Sequence, residues 1–171
     1  MSMKKKQPLV GILMGSDSDV LVMGEAAKIL DDFNVPHEQV ITSAHRSPKR
    51  TMLYAESASK RGIKILIAGA GYAAHLAGVV AAQTVLPVIG VPIDSSSLKG
   101  LDAILSTVQM PGGIPVATMS IGKAGAKNAA LMAVAILALS NQTLKKSLES
   151  YRRKLEKGIL KKNKKLQSKN L

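Results

Sequence analysis

Along most of this chain, short unbroken apolar runs alternate with stretches whose apolar residues recur every three or four positions. Residues 9–14 carry no polar side chain and run straight into Gly15-Ser16-Asp17. Such a run predicts a strand buried on both faces and ended by a tight turn. From 19 to 33, Leu21, Val22, Ala26, Ile29, Leu30 and Phe33 share one face of a predicted helix. A weaker strand ends at Val40-Ile41, and a helix follows over 48–61 with Pro48 in its first turn, a place where the missing N–H is harmless. The alternation continues with a strand at 63–68 and a helix at 73–83, a strand at 87–91 and a helix at 101–108, and a strand at 115–120 and a helix at 124–139.

Five such units predict a parallel sheet with helices on both faces, a flavodoxin-like three-layer αβα sandwich with a five-stranded parallel sheet. The span 1–171 reads as a single domain. Past Asn141, Leu144, Leu148, Tyr151, Leu155 and Leu160 are spaced for an extended C-terminal helix. It has little core of its own to cover, so it is expected to pack on a neighbouring subunit. The basic ends, 1–8 and about 160–171, are expected to be flexible.

Composition narrows the classes further. Hydrophobic residues make up 46% and charged ones 20%, as in ordinary globular domains and unlike disordered chains. The net charge of +13 is carried at the ends: Lys4, Lys5 and Lys6, and eleven Lys/Arg against two acids from Lys145 onward. The body, 7–144, holds ten basic and nine acidic residues. A charged tail whose only aromatic is Tyr151 lacks the stacking residues of nucleic-acid readers, and no nucleic-acid partner is expected. Cysteine is absent, which excludes disulfides, thiolate metal sites and a cysteine nucleophile and suits a cytoplasmic setting. The longest apolar run, 129–139, is far shorter than the ~20 residues that cross a bilayer, so no membrane partner is expected.

In an open α/β sheet the ligand binds beyond the carboxyl ends of the strands, where strand order reverses. Loops 15–19, 43–48 and 69–76 lie at that rim. In the first, Ser16 and Ser18 offer hydroxyls and the following helix offers amides for a phosphate, while Asp19 can accept from sugar hydroxyls. Asp17 or Asp19 equally suits a plain helix cap. In the second, Ser43 and Arg46 suit a phosphate, and His45 is either the natural proton carrier near neutral pH or an incidental loop histidine. In the third, Gly69, Ala70 and Gly71 let backbone approach a flat ligand, and His75 suits either a polar contact or a hydrogen-bonded place in the core. This loop fails the dinucleotide pattern Gly-x-Gly-x-x-Gly, since Ala74 stands three after Gly71. Lys123 lies outside any Gly-x-x-x-x-Gly-Lys-Ser/Thr sequence, His37 is expected on the surface at the opposite end of the sheet, and the histidines lack metal-ligand spacing, so no metal is expected.

These loops carry a resemblance. The stretches Met14-Gly-Ser-Asp-Ser-Asp19, Ser43-Ala-His-Arg46, Ala68-Gly-Ala-Gly71 with Ala73-Ala-His-Leu76, Val108-Gln-Met-Pro-Gly-Gly-Ile-Pro-Val116 and Ile121-Gly-Lys-Ala-Gly125 resemble the class I PurE family, the N5-carboxyaminoimidazole ribonucleotide mutases. The likeness covers roughly 9–140. It implies an enzyme of de novo purine (IMP) biosynthesis, assembled as a homo-octamer, that converts its ribonucleotide substrate to the isomer carboxylated at C4 without a cofactor. By this likeness Ser16, Ser43 and Arg46 grip the 5′-phosphate and Asp19 the ribose. Gly69, Ala70, Gly71 and the segment through His75 to Leu76 wall the imidazole and the carboxylate. His45 moves protons while carbon dioxide leaves nitrogen and is recaptured by the ring carbon.

The class II relatives, which carboxylate aminoimidazole ribonucleotide directly with carbon dioxide, typically have lysine at the place of Arg46 and Arg-Ser-Asn at the place of Gly71-Tyr72-Ala73. This chain follows class I at both, but departs from it at Tyr72, where a small residue is common, and at Ala77, where proline is frequent. The fold alone also suits a non-catalytic flavodoxin-like nucleotide-binding module. A flavin carrier would need flanking aromatics, which are 2% here, and a phospho-receiver would need aspartate where the third strand ends in Gly69.

Overall fold

The computed structural model describes residues 7–168. They form two compact units, one ending at Ala133 and one beginning at Val134. In the first, β1 (Val10–Met14), β2 (His37–Ile41), β3 (Ile65–Gly71), β4 (Val88–Ile93) and β5 (Ala117–Thr118) make one sheet in the order β2-β1-β3-β4-β5. Every neighbouring pair is parallel. This is the flavodoxin-like order, with its reversal between β1 and β3.

Side chains alternate across the sheet, as period two requires. Leu13, Leu66 and Ala68 face α2 (Pro48–Ala58) and α3 (Leu76–Ala81), where they share one buried cluster with Ala55, Ala58, Ala77 and Val80. The other face takes α1 (Val20–Asp32), whose Met23 is fully buried. The Glu25 carboxylate of α1 pairs with Lys127 of α5 (Gly122–Ala138) at 3.1 Å. Ile12, Leu13, Ile65, Leu66, Ile67 and Ile89 are fully buried, and each such side chain contributes about 1.5–3 kcal/mol relative to exposure. At the sheet edge, Tyr54 of α2 donates to Glu38 of β2 at 2.7 Å, and Arg61 both pairs with Glu38 and stacks 4.4 Å over the Tyr54 ring. Burial, and then the Glu38 carboxylate, push the Tyr54 phenol above its ordinary value.

Among the boundaries that differ from expectation, three bear on the site and the sheet edge. β5 pairs only at Ala117 and Thr118, because it is a half-exposed edge that Pro115 enters without a donor. β3 runs on to Gly71, since its side-chain-free positions let β4 stay paired through Ile93. In consequence α3 begins at Leu76 rather than 73, after a turn in which the His75 amide donates to the Ala73 carbonyl at 2.8 Å. His37, expected on the surface, has a ring only 12% exposed, with Nδ1 3.1 Å from the Val35 carbonyl. It does stand at the amino end of the sheet, opposite Val10.

Between β4 and β5 lies α4 (Leu101–Val108), with Leu101, Leu105 and Val108 about half exposed. In the second unit, α6 (Gln142–Gln167) starts at Asn141, whose side chain accepts from the amides of Thr143 and Leu144. Lys164 and Lys165 in its last turn suit the negative end of the helix dipole. No residue of α6 is buried. Regular helix continues to Gln167 where a flexible end was expected from about 160; positions 1–6 and 169–171 of the expected flexible ends lie outside the described residues. Among the described residues no helix is long and apolar enough to cross a membrane.

Two glycines should respond oppositely to alanine. Gly24 sits inside α1 with nothing within 4 Å of an added Cβ, so Gly24→Ala should stabilise by about 0.5–1 kcal/mol. At Gly125 the same atom would lie 1.6 Å from the Ser120 carbonyl oxygen, and Gly125→Ala should cost more than about 3 kcal/mol. Denaturant unfolding of both variants checks the pair.

Candidate active site

The expected loops meet. β1, β2 and β3 end in register, Met14 lying beside both Ile41 and Gly69. A cavity of about 450 Å³ opens beyond those ends, lined from β1 by residues 15–16 and 18–19, from β2 by 43–46, and from β3 by 70–73 with His75 and Leu76. Its volume suits a small ligand such as a mononucleotide.

The loop after β1 is held by a capping box. The Ser16 amide donates to the Asp19 carboxylate at 3.0 Å, while the Ser16 hydroxyl receives the Ser18 amide. Asp19 is thus both a cap and a member of the cavity wall, and is only 5% exposed. Burial raises its carboxyl above the ordinary value, against the opposing pull of the Ser16 and Gly15 amides. Asp17 turns outward and is held below its ordinary value, chiefly by the Ser16 hydroxyl. The amides of Ser16, Ser18 and Asp19 are all engaged within the loop, and the Ser16 hydroxyl gives its hydrogen to Asp17 at 2.8 Å, so the expected cradle is not free in this geometry.

The loop after β2 is braced by its own hydroxyls. Buried Thr42 donates its amide to the Met14 carbonyl and meets Thr51 Oγ1 at 2.8 Å. Ser47 Oγ receives the Ser43 amide and donates to the Ser43 carbonyl, and Ser43 Oγ receives the Arg46 amide at 3.1 Å. This leaves the Ser43 hydroxyl hydrogen free to donate outward. The Arg46 guanidinium crosses to β1, donating through Nη2 to the Gly15 carbonyl at 2.9 Å.

The third wall differs in kind. Gly71 is pressed against the end of β4, where an added Cβ would lie 1.7 Å from Ser95 Oγ. Gly69 does not line the cavity; it faces α1, and an added Cβ would lie 2.1 Å from Met23 Sδ. Tyr72 has φ 53°, in the left-handed region, which costs a residue with a Cβ roughly 1–2 kcal/mol. Leu76 is buried to 2% exposure, whereas His75 is exposed at the head of α3. His75 Nδ1 stands 2.9 Å from His45 Nε2, with the rings edge to face. One of these nitrogens must carry the proton and the other accept it, so the pair in this geometry includes a neutral imidazole. His75 therefore belongs to the cavity and not to the core.

Ser16, Asp19, Ser43, His45, Arg46, Ala70, Gly71, His75 and Leu76 thus gather at one rim, and Gly69 alone of the candidates stands behind it. Ser95, from the loop after β4, and Tyr72 also line the cavity. Ser95 was findable, because the rule that selected the other three loops applies equally to the end of the fourth strand.

A parallel sheet with this polar, histidine-bearing rim defines a small-ligand enzyme of the doubly wound α/β class. The chain matches the AIR carboxylase family over residues 9–158, and it belongs to that family. It is 55% identical over 166 residues to the N5-carboxyaminoimidazole ribonucleotide mutase of Pyrococcus horikoshii, covering 97% of this chain and 93% of that protein. With the mutase of Bacillus subtilis it shares 56% over 154 residues, covering 90% and 95%. A phosphoribosylaminoimidazole carboxylase of Saccharomyces cerevisiae is 54% identical over 95% of this chain, which spans 28% of that longer protein. The crystal structure of Treponema denticola PurE superposes with a TM-score of 0.84 at 32% identity, covering 93% of this chain and 98% of that one.

The raised Asp19 carboxyl has a signed consequence. Its folded-state value lies above the unfolded one, so its contribution to stability is present when protonated and lost as pH rises through the raised value. Asp19→Asn should therefore melt at or above wild type at pH 7, with the difference shrinking toward pH 4. Thermal melts at the two pH values check this.

Proposed function

We propose that this chain is an N5-carboxyaminoimidazole ribonucleotide mutase of purine biosynthesis, acting in the cytoplasm. The observation that carries the reading is the meeting, in one cavity, of an arginine and serine hydroxyls from β1 and β2 with a hydrogen-bonded histidine pair against an apolar wall. Arg46 and the Ser43 hydroxyl hold the 5′-phosphate, joined by the Ser16 hydroxyl once it turns from Asp17, and Asp19 accepts from the ribose hydroxyls. The imidazole then lies against Ala70, Gly71 and Leu76, within reach of His45.

In the reaction the bond from N5 to the carboxyl carbon breaks, its electron pair returns to nitrogen, and nitrogen takes a proton from His45. The electron-rich ring carbon C4 attacks the released carbon dioxide. His45 then removes the C4 proton, so the protein ends in its starting protonation state. The change is an isomerisation with no net oxidation and no group consumed, and these residues supply all the proton movement it needs. Holding carbon dioxide beside C4 replaces a bimolecular capture with an intramolecular one, the larger part of the advantage.

We also propose a homo-oligomer, octameric by the family likeness, with α6 packing on a neighbouring subunit. The unburied apolar residues Leu101, Leu105 and Val108 of α4 and Leu155 and Leu160 of α6 support it, since such surface on a soluble protein marks a partner. Light scattering should give a mass several times the 18.0 kDa chain; a monomer at micromolar concentration refutes it.

Incubation with N5-carboxyaminoimidazole ribonucleotide should yield the C4-carboxylated isomer. Aminoimidazole ribonucleotide plus bicarbonate should yield far less, and the reverse preference would instead assign the direct carboxylase activity. His45→Asn should keep substrate binding and lose most turnover, at least about a hundredfold if it is the general acid and base. Arg46→Ala should chiefly raise KM, because a phosphate contact is made equally in ground and transition states.

A further inference from the structure

Tyr72 is held in a backbone conformation that suits glycine, yet its ring is 63% exposed. Nothing buried repays the strain. Of the described residues, Asn34 and Lys99 are the other non-glycines at positive φ, and Tyr72 alone of the three lines the cavity. Strain kept at a site without packing to offset it points to a use of the side chain there.

The surroundings say which use. Gly71 is wedged against Ser95, so the backbone just before Tyr72 cannot settle inward, and Ala73 and Ala74 after it carry only methyl groups. Within the wall from β3, Tyr72 supplies the one large apolar surface left to solvent. It stands on the same rim as His45 and His75, the end of the cavity where the ring reacts. Carbon dioxide is small, apolar and uncharged, so the phosphate grip does nothing to retain it, and in this chain a large ring at that mouth bears on how much of it escapes to water.

We propose that Tyr72 is the cap of the reaction cavity, its ring covering the reacting edge of the bound ribonucleotide and retaining carbon dioxide between its loss from nitrogen and its capture by C4. This rests on the mutase reading above. Tyr72 acts by shielding, and no proton passes through its hydroxyl.

The test compares wild type, Tyr72→Gly and Tyr72→Phe on N5-carboxyaminoimidazole ribonucleotide in ¹³C-bicarbonate with carbonic anhydrase present. It reads free aminoimidazole ribonucleotide and label in the C4 carboxylate. Wild type should give largely unlabelled product. Tyr72→Gly, which relieves the strain and should melt no lower than wild type, should raise both nucleotide release and label several-fold per turnover. Tyr72→Phe keeps the ring and should recover the wild-type partition. A Tyr72→Gly enzyme that partitions like wild type overturns the cap, as does a wild-type product carrying full solvent label. Wild type that forms no C4 product removes the mutase reading itself, and the cap with it.

Discussion

The register of three parallel strands carries everything else in this site. Met14 lies beside Ile41 on one side and Gly69 on the other, so the chain leaves β1, β2 and β3 at one level and three unrelated loops start from a common rim. Arg46 then fastens the second loop to the first through the Gly15 carbonyl. A one-residue slip in any pairing would turn each strand's buried side chains to the opposite face. Because β1 is fully buried, such a slip is costly, and the site inherits its geometry from the core.

Loop order follows from local satisfaction of polar groups. The residues from Thr42 to Ser47 bond largely among themselves and to β1 and α2, which leaves His45 and the Arg46 head as the groups turned to the cavity. Likewise the capping box engages the amides of the first loop, and the Ser16 hydroxyl gives its hydrogen to Asp17. In both cases backbone needs are met inside the loop. Asp19 is the exception: a buried carboxylate, raised by that burial, whose oxygens serve the loop's own amides while it lines the cavity.

How far this was legible in the sequence depends on which force placed each residue. The sheet and its helices were readable because unbroken apolar runs and helical spacing report burial directly, and loops 15–19 and 43–48 were readable because they follow such runs at once. The third loop misled by three residues, since β3 runs on to Gly71. Gly69 looks like a turn residue, yet it lies in β3, small because Met23 packs against it; that is a tertiary demand with no local signature. The short β5 escaped for the opposite reason, since its apolar residues are half exposed at an edge. The contact between His45 and His75, thirty positions apart, follows from strand register, which periodicity does not give.

The two sides of the cavity divide the work. The loops after β1 and β2 bring hydroxyls, a carboxylate and a guanidinium, groups suited to directional and charged contacts. The side from β3 brings Ala70, Gly71, Tyr72 and Leu76, which recognise little and exclude water. The histidine pair stands where the two sides meet, one ring from each. On the proposed reading, a nucleotide bound by its polar end would meet on this side a mostly apolar surface, broken by the two imidazoles, Ser95 and the Tyr72 hydroxyl. On the mutase reading proposed above, the intermediate is a neutral gas that charged contacts do not hold, and the scarcity of polar groups on the β3 side is what the proposed retention draws on.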